Sequence, residues 1–211
     1  SLWIGNLLGE NAYAALTSST PIILILNSIA MGATNGVAIL VSQAIGAKDE
    51  GAVERVISTS LVVAVVFSVS VTLLLELSLP WLLRVLNTPD ETWEMAKDYL
   101  SIYLLGYVTV YLYCYFTAVL RGFGNAVFQM AAMLVCTVLN AVLDPIFIKS
   151  IGFRGAAIAT LLSQSICLLF MLVYIARKKV FRFRAVKFEK RMVGEIIAKA
   201  VPSVFQQSIP A

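Results

Sequence analysis

Residues 122–148 read GFGNAVFQMAAMLVCTVLNAVLDPIFI, a stretch whose single charged side chain is Asp144. About 20 apolar residues in helical form cross a hydrocarbon core roughly 30 Å thick. The stretch is continuously apolar rather than alternating, which predicts a membrane-spanning helix and not a barrel strand. Outward from it the pattern recurs. Runs 11–47, 56–75, 99–120, 122–143 and 155–176 contain no Asp, Glu, Lys or Arg and are 37, 20, 22, 22 and 22 residues long. Each can cross once, and the first leaves residues over for a loop. Of the 211 residues 60% are hydrophobic and 13% charged, against about a quarter charged in an ordinary soluble domain. The sequence therefore predicts an all-α fold, a polytopic membrane helical bundle, and excludes a water-soluble one.

The two ends read as partial spans. SLWIGNLLG at the start has no basic region and no cleavage site, and the apolar stretch after Lys199 ends after 12 residues. The expected organisation is 1–176 as a bundle holding the tail of one span and five full spans, 177–198 as a basic linker, and 199–211 as the start of a further span. Alternate loops lie on alternate sides of the membrane. The loops at 46–55, 121–125 and 177–199 carry twelve Lys and Arg and the other three carry four, namely Arg84, Lys97, Lys149 and Arg154. That asymmetry predicts a cytoplasmic-membrane protein with the three basic loops in the cytoplasm. The net charge of +4 is then a matter of topology and implies no nucleic-acid partner. Cys114, Cys136 and Cys167 all fall inside apolar runs without metal-type spacing and read as buried thiols.

Two acids lie at membrane level. Glu76 follows the run 56–75 and is expected to reach the interface with its carboxylate. Asp144 is placed within a span. Asn140 precedes it by one helical turn, so amide and carboxylate share a face. Pro145, lacking an N–H, loosens the carbonyl of Ala141 beside them. A carboxylate, an amide and a loosened carbonyl suit a small cation or a proton, so Na⁺ or H⁺ is the ion expected at Asp144 and Asn140. The alternative is a kinked packing motif with Asp144 hydrogen-bonded between helices. Tyr99, Tyr103, Tyr107, Tyr111 and Tyr115 recur every four residues and wind slowly around one helix. Such a row either faces a cavity for an organic cation or packs against neighbouring helices. Asn27, Asn35 and Gln43 give another helix a polar side that faces protein or water. Tyr107, Tyr111, Asn27, Asn35 and Gln43 are thus the substrate-cavity candidates. Gly32 and Gly36 form a small-xxx-small pair that admits a neighbouring helix closely.

No catalytic constellation is present. Histidine is absent, Gly122-Phe123-Gly124 lacks the strand and third glycine of a dinucleotide fingerprint, and a single deeply placed Asp cannot form an aspartyl dyad. The chain reads as a non-enzyme with no prosthetic group.

SQAIGA at 42–47, RGFGN at 121–125, NAVLDPIFI at 140–148 and GFRGAAIATLLSQ at 152–164, in this order and spacing, resemble the multidrug and toxic compound extrusion (MATE) transporters. The resemblance implies a twelve-helix protein of two lobes related by a pseudo-twofold axis, exporting organic cations, drugs and other toxic compounds in exchange for Na⁺ or H⁺. It implies that residues 1–8 end the first family helix, the five runs form the second to sixth, and 200–211 open the seventh. The partners implied are a small-molecule organic substrate, the lipid bilayer and the missing C-terminal lobe of the same chain. Family members carry a functional Asp in the first helix, which would be the residue just before Ser1. In the family's N-lobe cation site the fifth-helix Asn and Asp match Asn140 and Asp144, and a sixth-helix hydroxyl is matched by Thr160. The fourth-helix Asn of that site has no counterpart; Thr117 is the nearest small polar residue there. The alternatives are a related flippase of lipid-linked oligosaccharides, which would need fixed basic residues that the runs lack, and a non-transporting membrane scaffold, which would not need Asp144.

Overall fold

A computed structural model describes residues 9–178, 180 and 190–208 of the chain. The expectations for residues 1–8, for 181–189 in the linker and for 209–211 lie outside the described residues. Seven helices account for nearly all of the rest: α1 (Glu10–Gly46), α2 (Glu50–Val85), α3 (Asp90–Leu105), α4 (Tyr107–Gly122), α5 (Ala126–Ile151), α6 (Arg154–Lys178) and α7 (Lys190–Ser208). Among the described residues there is no strand. Four of the helices, α1, α2, α5 and α6, are long and apolar enough to cross a membrane singly. The fifth expected span is a pair, α3 and α4, bent by 48° at their junction.

The charge-free runs underestimate the helices, because charged side chains at the membrane edge continue a helix as readily as apolar ones. The first run leaves no loop: its residues stay in one 37-residue helix. Likewise α2 begins at Glu50 and passes through Pro80 to Val85. The connections shrink to residues 47–49 and 86–89. Local chemistry sets these boundaries. Asp49 caps α2 by accepting a hydrogen bond from the Ala52 N–H at 2.8 Å, and Asn125 caps α5 by accepting from the Phe128 N–H at 3.3 Å. Asp90 and Glu91 occupy the first turn of α3, just after Pro89, where negative charge and a proline both favour a helix start.

The break inside the third run, 99–120, is not legible in the sequence. Gly106 joins α3 to α4, and a Cβ built there would meet the side chain of Leu161 at 2.2 Å. The missing side chain thus admits Leu161 of α6 into the angle of the bend. The bent pair forms the centre of the bundle: α4 packs against α1, α2 and α6, while α5 lies on the flank against α6 and α7 lies along α1. Buried residues concentrate on α4, including Tyr107, Val110, Tyr115, Val119 and Leu120. Large apolar side chains such as Leu74, Leu77, Leu134 and Val138 are exposed on α2 and α5, as lipid-facing surfaces require.

Close approach is carried by glycine. The Gly32–Gly36 pair seats α7, with Val204 Cα 2.5 Å from a Cβ built at Gly32 and the Ala200 nitrogen 2.9 Å from one built at Gly36. Gly155 lets the start of α6 lie on the end of α5, where an added Cβ would come within 2.2 Å of the Phe147 carbonyl oxygen.

These approaches make a stability contrast. Gly155→Ala forces backbone apart and should cost about 1–3 kcal/mol. Gly194→Ala, in α7 with nothing within 4 Å of its added Cβ, should gain up to about 1 kcal/mol from helix propensity. Thermal unfolding of the full-length protein in detergent checks both signs.

Candidate functional site

The face of α5 that carries Asn140 and Asp144 turns away from lipid and meets α6. Asp144 is buried, at 8% exposure, although much of α5 is exposed. The Asn140 Nδ2 donates to Asp144 Oδ1 at 3.4 Å and to Thr160 Oγ1 at 3.2 Å. Thr160 sends its own proton to the Ala156 carbonyl at 3.0 Å, which leaves its oxygen as the acceptor. Three of the four predicted cation-site residues therefore meet: Asp144, Asn140 and Thr160. The helix does not end at Pro145 but runs on to Ile151, so the site sits on a continuous helix.

Thr117 does not join them. Its hydroxyl donates to the Met171 sulfur at 3.6 Å, and Met171 is eleven residues along α6 from Thr160, about 16 Å at the helical rise. The residue that α3 brings to the site is Tyr99, close enough to Asp144 to interact with it electrostatically and stacked on Phe153 with ring centroids 4.9 Å apart. Sequence spacing singled out Tyr99 as the first of a row and gave no sign of this placement, which depends on how α3 meets α5 and α6.

The cavity candidates separate. Tyr107 and Tyr111 are buried at 0% and 4% exposure, and they pack within the bundle instead of lining a cavity. The physical reason is hydrogen bonding: in an apolar interior a phenol must find an acceptor. Tyr107 donates to the Leu26 carbonyl at 2.9 Å, and Tyr103 donates to Asn27 Oδ1 at 3.3 Å, which accounts for Asn27 as well. Tyr115 donates to the Ile57 carbonyl at 2.9 Å and lies 3.0 Å from the Ser60 hydroxyl. The tyrosine row is thus a seam that fixes α3 and α4 to α1 and α2. Gln43 is exposed on α1. Asn35 lines a cavity together with Arg121 and residues of α7.

Glu76 also departs from expectation. It turns into the bundle and accepts a hydrogen bond from Ser101 of α3, while its second oxygen is buried without a partner among the described residues. A short polar neighbour on α3 draws the carboxyl inward instead of to the interface. Arg154 of α6 donates through Nε to Asp98 of α3 at 3.0 Å, tying the start of α6 to the middle of α3.

Chemically, the Asp144 cluster is one acid hydrogen-bonded to an amide that is in turn bonded to a hydroxyl, with oxygens of the hard type that Na⁺ and H⁺ take. Sodium would require Asn140 to turn its amide oxygen inward, since the nitrogen faces the acid here.

A family model described as MatE matches residues 1–146, and the chain belongs to that family of membrane transporters. It is 32% identical over 216 residues to the probable multidrug resistance protein YpnP of Bacillus subtilis, covering 99% of this chain and 48% of that protein. A multidrug resistance MATE family transporter solved in an outward-facing conformation matches with a TM-score of 0.90 at 28% identity, covering 98% of this chain and 47% of the other. An inward-facing conformation matches with a TM-score of 0.88, covering 97% and 48%. The chain spans about half the length of the relatives it matches.

Placing Tyr107 in the seam has a measurable consequence. Tyr107→Phe should lower stability by about 1 kcal/mol through the lost hydrogen bond and leave the KM for exported compounds unchanged. Thermal unfolding together with dye-efflux kinetics of the full-length protein reads both.

Proposed function

We propose that these residues form the first lobe of an ion-coupled antiporter, which exports organic cations, drugs or other toxic compounds across the cytoplasmic membrane in exchange for Na⁺ or H⁺. The observation that carries this reading is the meeting of Asp144, Asn140 and Thr160 in the lobe interior. A charge at that depth is expensive, so its retention calls for a role in which the charge itself is used. An acid that alternates between free and proton- or cation-occupied states changes the net charge of the lobe interior by one unit. Occupancy can then bias which side of the membrane the lobes open to, as carriers with paired bundles require. Asn140 and Thr160 orient the carboxyl, and no prosthetic group is needed for the exchange. The exported compound binds between this lobe and the second. The loops at 46–55, 121–125 and 177–199 face the cytoplasm.

The coupling role is tested in liposomes under a defined Na⁺ or H⁺ gradient. Asp144→Asn in the full-length protein should abolish gradient-driven efflux while shifting the unfolding temperature by only a few degrees, because shape and hydrogen bonding are nearly kept. Asn140→Ala should weaken coupling less, since it leaves the titrating group in place. Wild-type efflux by Asp144→Asn would reject the role.

Orientation is tested separately. On a background with the three native cysteines replaced by alanine, Glu91→Cys should react with an impermeant maleimide in intact cells and Glu50→Cys only after lysis. The reverse pattern would invert the topology.

A further inference from the structure

Beside the seat of α7 on Gly32 and Gly36 lies a cavity of about 300 Å³ at the end of the bundle where α1 and α4 finish. Its polar lining comes from three helices: Asn35 and Ser42 of α1, Arg121 of α4, and Ser203 and Gln206 of α7. The charged member is Arg121, and its Nη2 donates to Asn35 Oδ1. A neutral amide fixes the guanidinium in place without cancelling its charge. Other arginines are treated differently: Arg55, Arg154 and Arg191 lie against Asp49, Asp98 and Glu195. Among the described residues no carboxylate is paired with Arg121, and none lines the cavity.

The Ser42 and Ser203 hydroxyls spend their protons on the Ile39 and Lys199 carbonyls, each at 3.0 Å. Asn35 uses its amide oxygen on Arg121, which leaves its NH₂ as the outward group. A guanidinium has five N–H donors, and the contact with Asn35 takes one. With their protons spent, the two serine oxygens remain as acceptors; the donors left over are four N–H groups of Arg121 and the Asn35 NH₂, beside one positive charge. A planar fork with spare N–H groups matches two oxygens of a tetrahedral oxyanion.

We propose that this cavity binds a phosphate group, carried either by a small molecule or by a lipid headgroup. The proposal rests on the transporter reading above for its place on the path between the two lobes, but not on the coupling role of Asp144. Ser203 and Gln206 belong to α7, so the site is complete only while α7 sits on Gly32 and Gly36. An occupant fastens α7 to α1 and α4.

Riboflavin and flavin mononucleotide share one ring system and differ by a phosphate, which makes them the probe pair. The full-length protein in nanodiscs of neutral phosphatidylcholine is titrated with each, without any gradient, and flavin anisotropy is recorded. Flavin mononucleotide should bind about tenfold or more tighter than riboflavin, and Arg121→Gln should reduce the difference to under about twofold. Gln206→Glu, an exposed change on α7, adds a repelling charge at the same wall. It should shrink the preference too, and it decides the matter if Arg121→Gln does not fold. Equal binding of the two flavins by the wild type, or a preference that survives both substitutions, overturns the proposal. Repeating the titration with phosphatidylglycerol in the nanodiscs identifies the source. A loss of flavin mononucleotide affinity in the wild type that Arg121→Gln does not show marks a headgroup as occupant, and unchanged affinity marks a soluble phosphate. Because binding is read without turnover, its failure leaves the antiporter reading standing, and failure of the Asp144 test leaves this result untouched.

Discussion

In a bilayer no water is available to satisfy a polar group, so every hydroxyl, amide and carbonyl must find its partner inside the protein. The architecture follows from that constraint. Serines and threonines along the helices return their protons to carbonyls three or four residues back, as Ser19 does to Ala15 at 2.8 Å and Ser165 to Leu161 at 2.7 Å. Phenols are too long for this local solution and must cross to another helix. That is why the tyrosines of α3 and α4 tie the centre of the bundle to α1 and α2, through Asn27, Leu26 and Ile57. Thr72 of α2 adds a bond to the Leu104 carbonyl at 3.2 Å, close to the bend, where the helical pattern of α3 runs out.

The same constraint governs the acids. Asp144 has an amide one turn away on its own helix and Asn140 has a hydroxyl across the interface on α6, so the polar group is passed from helix to helix instead of being left in hydrocarbon. Glu76 obtains half of such an arrangement, with one oxygen accepting from Ser101 and the other buried alone. The contrast sets Asp144 apart within the packed bundle: its neighbours are themselves supported, down to the Thr160 hydroxyl anchored on Ala156.

What the sequence revealed was whatever depends on one helix at a time. The apolar runs locate the spans, and the four-residue step from Asn140 to Asp144 puts both on one helix face. Thr160 was reached only through family resemblance, since no local pattern links α5 to α6. What stayed hidden depends on which helix lies next to which. A four-residue tyrosine period is the same whether the phenols face a cavity or a carbonyl. Thr117 has the right chemistry at the wrong height. The bend at Gly106 was masked because the run reads as unbroken, and glycine marks it only once Leu161 is known to fill the angle. Arg121 read as a loop cation, because Asn35 is 86 residues away in the chain.

The unbroken course of α1 has a mechanical consequence. From Gly32, where α7 rests on it, to Glu10 the helix extends 22 residues, about 33 Å at the helical rise. Pro21 lies within that length and lacks the N–H that would bond the Thr17 carbonyl, while Tyr103 and Tyr107 tie the helix to α3 and α4 at Asn27 and Leu26. A proline in mid-helix is where a bend concentrates, and a change of about 10° there carries Glu10, eleven residues away, through about 3 Å by the geometry of a rigid rod. The leverage available to α1 thus resides in the length of helix beyond one proline rather than in any loop.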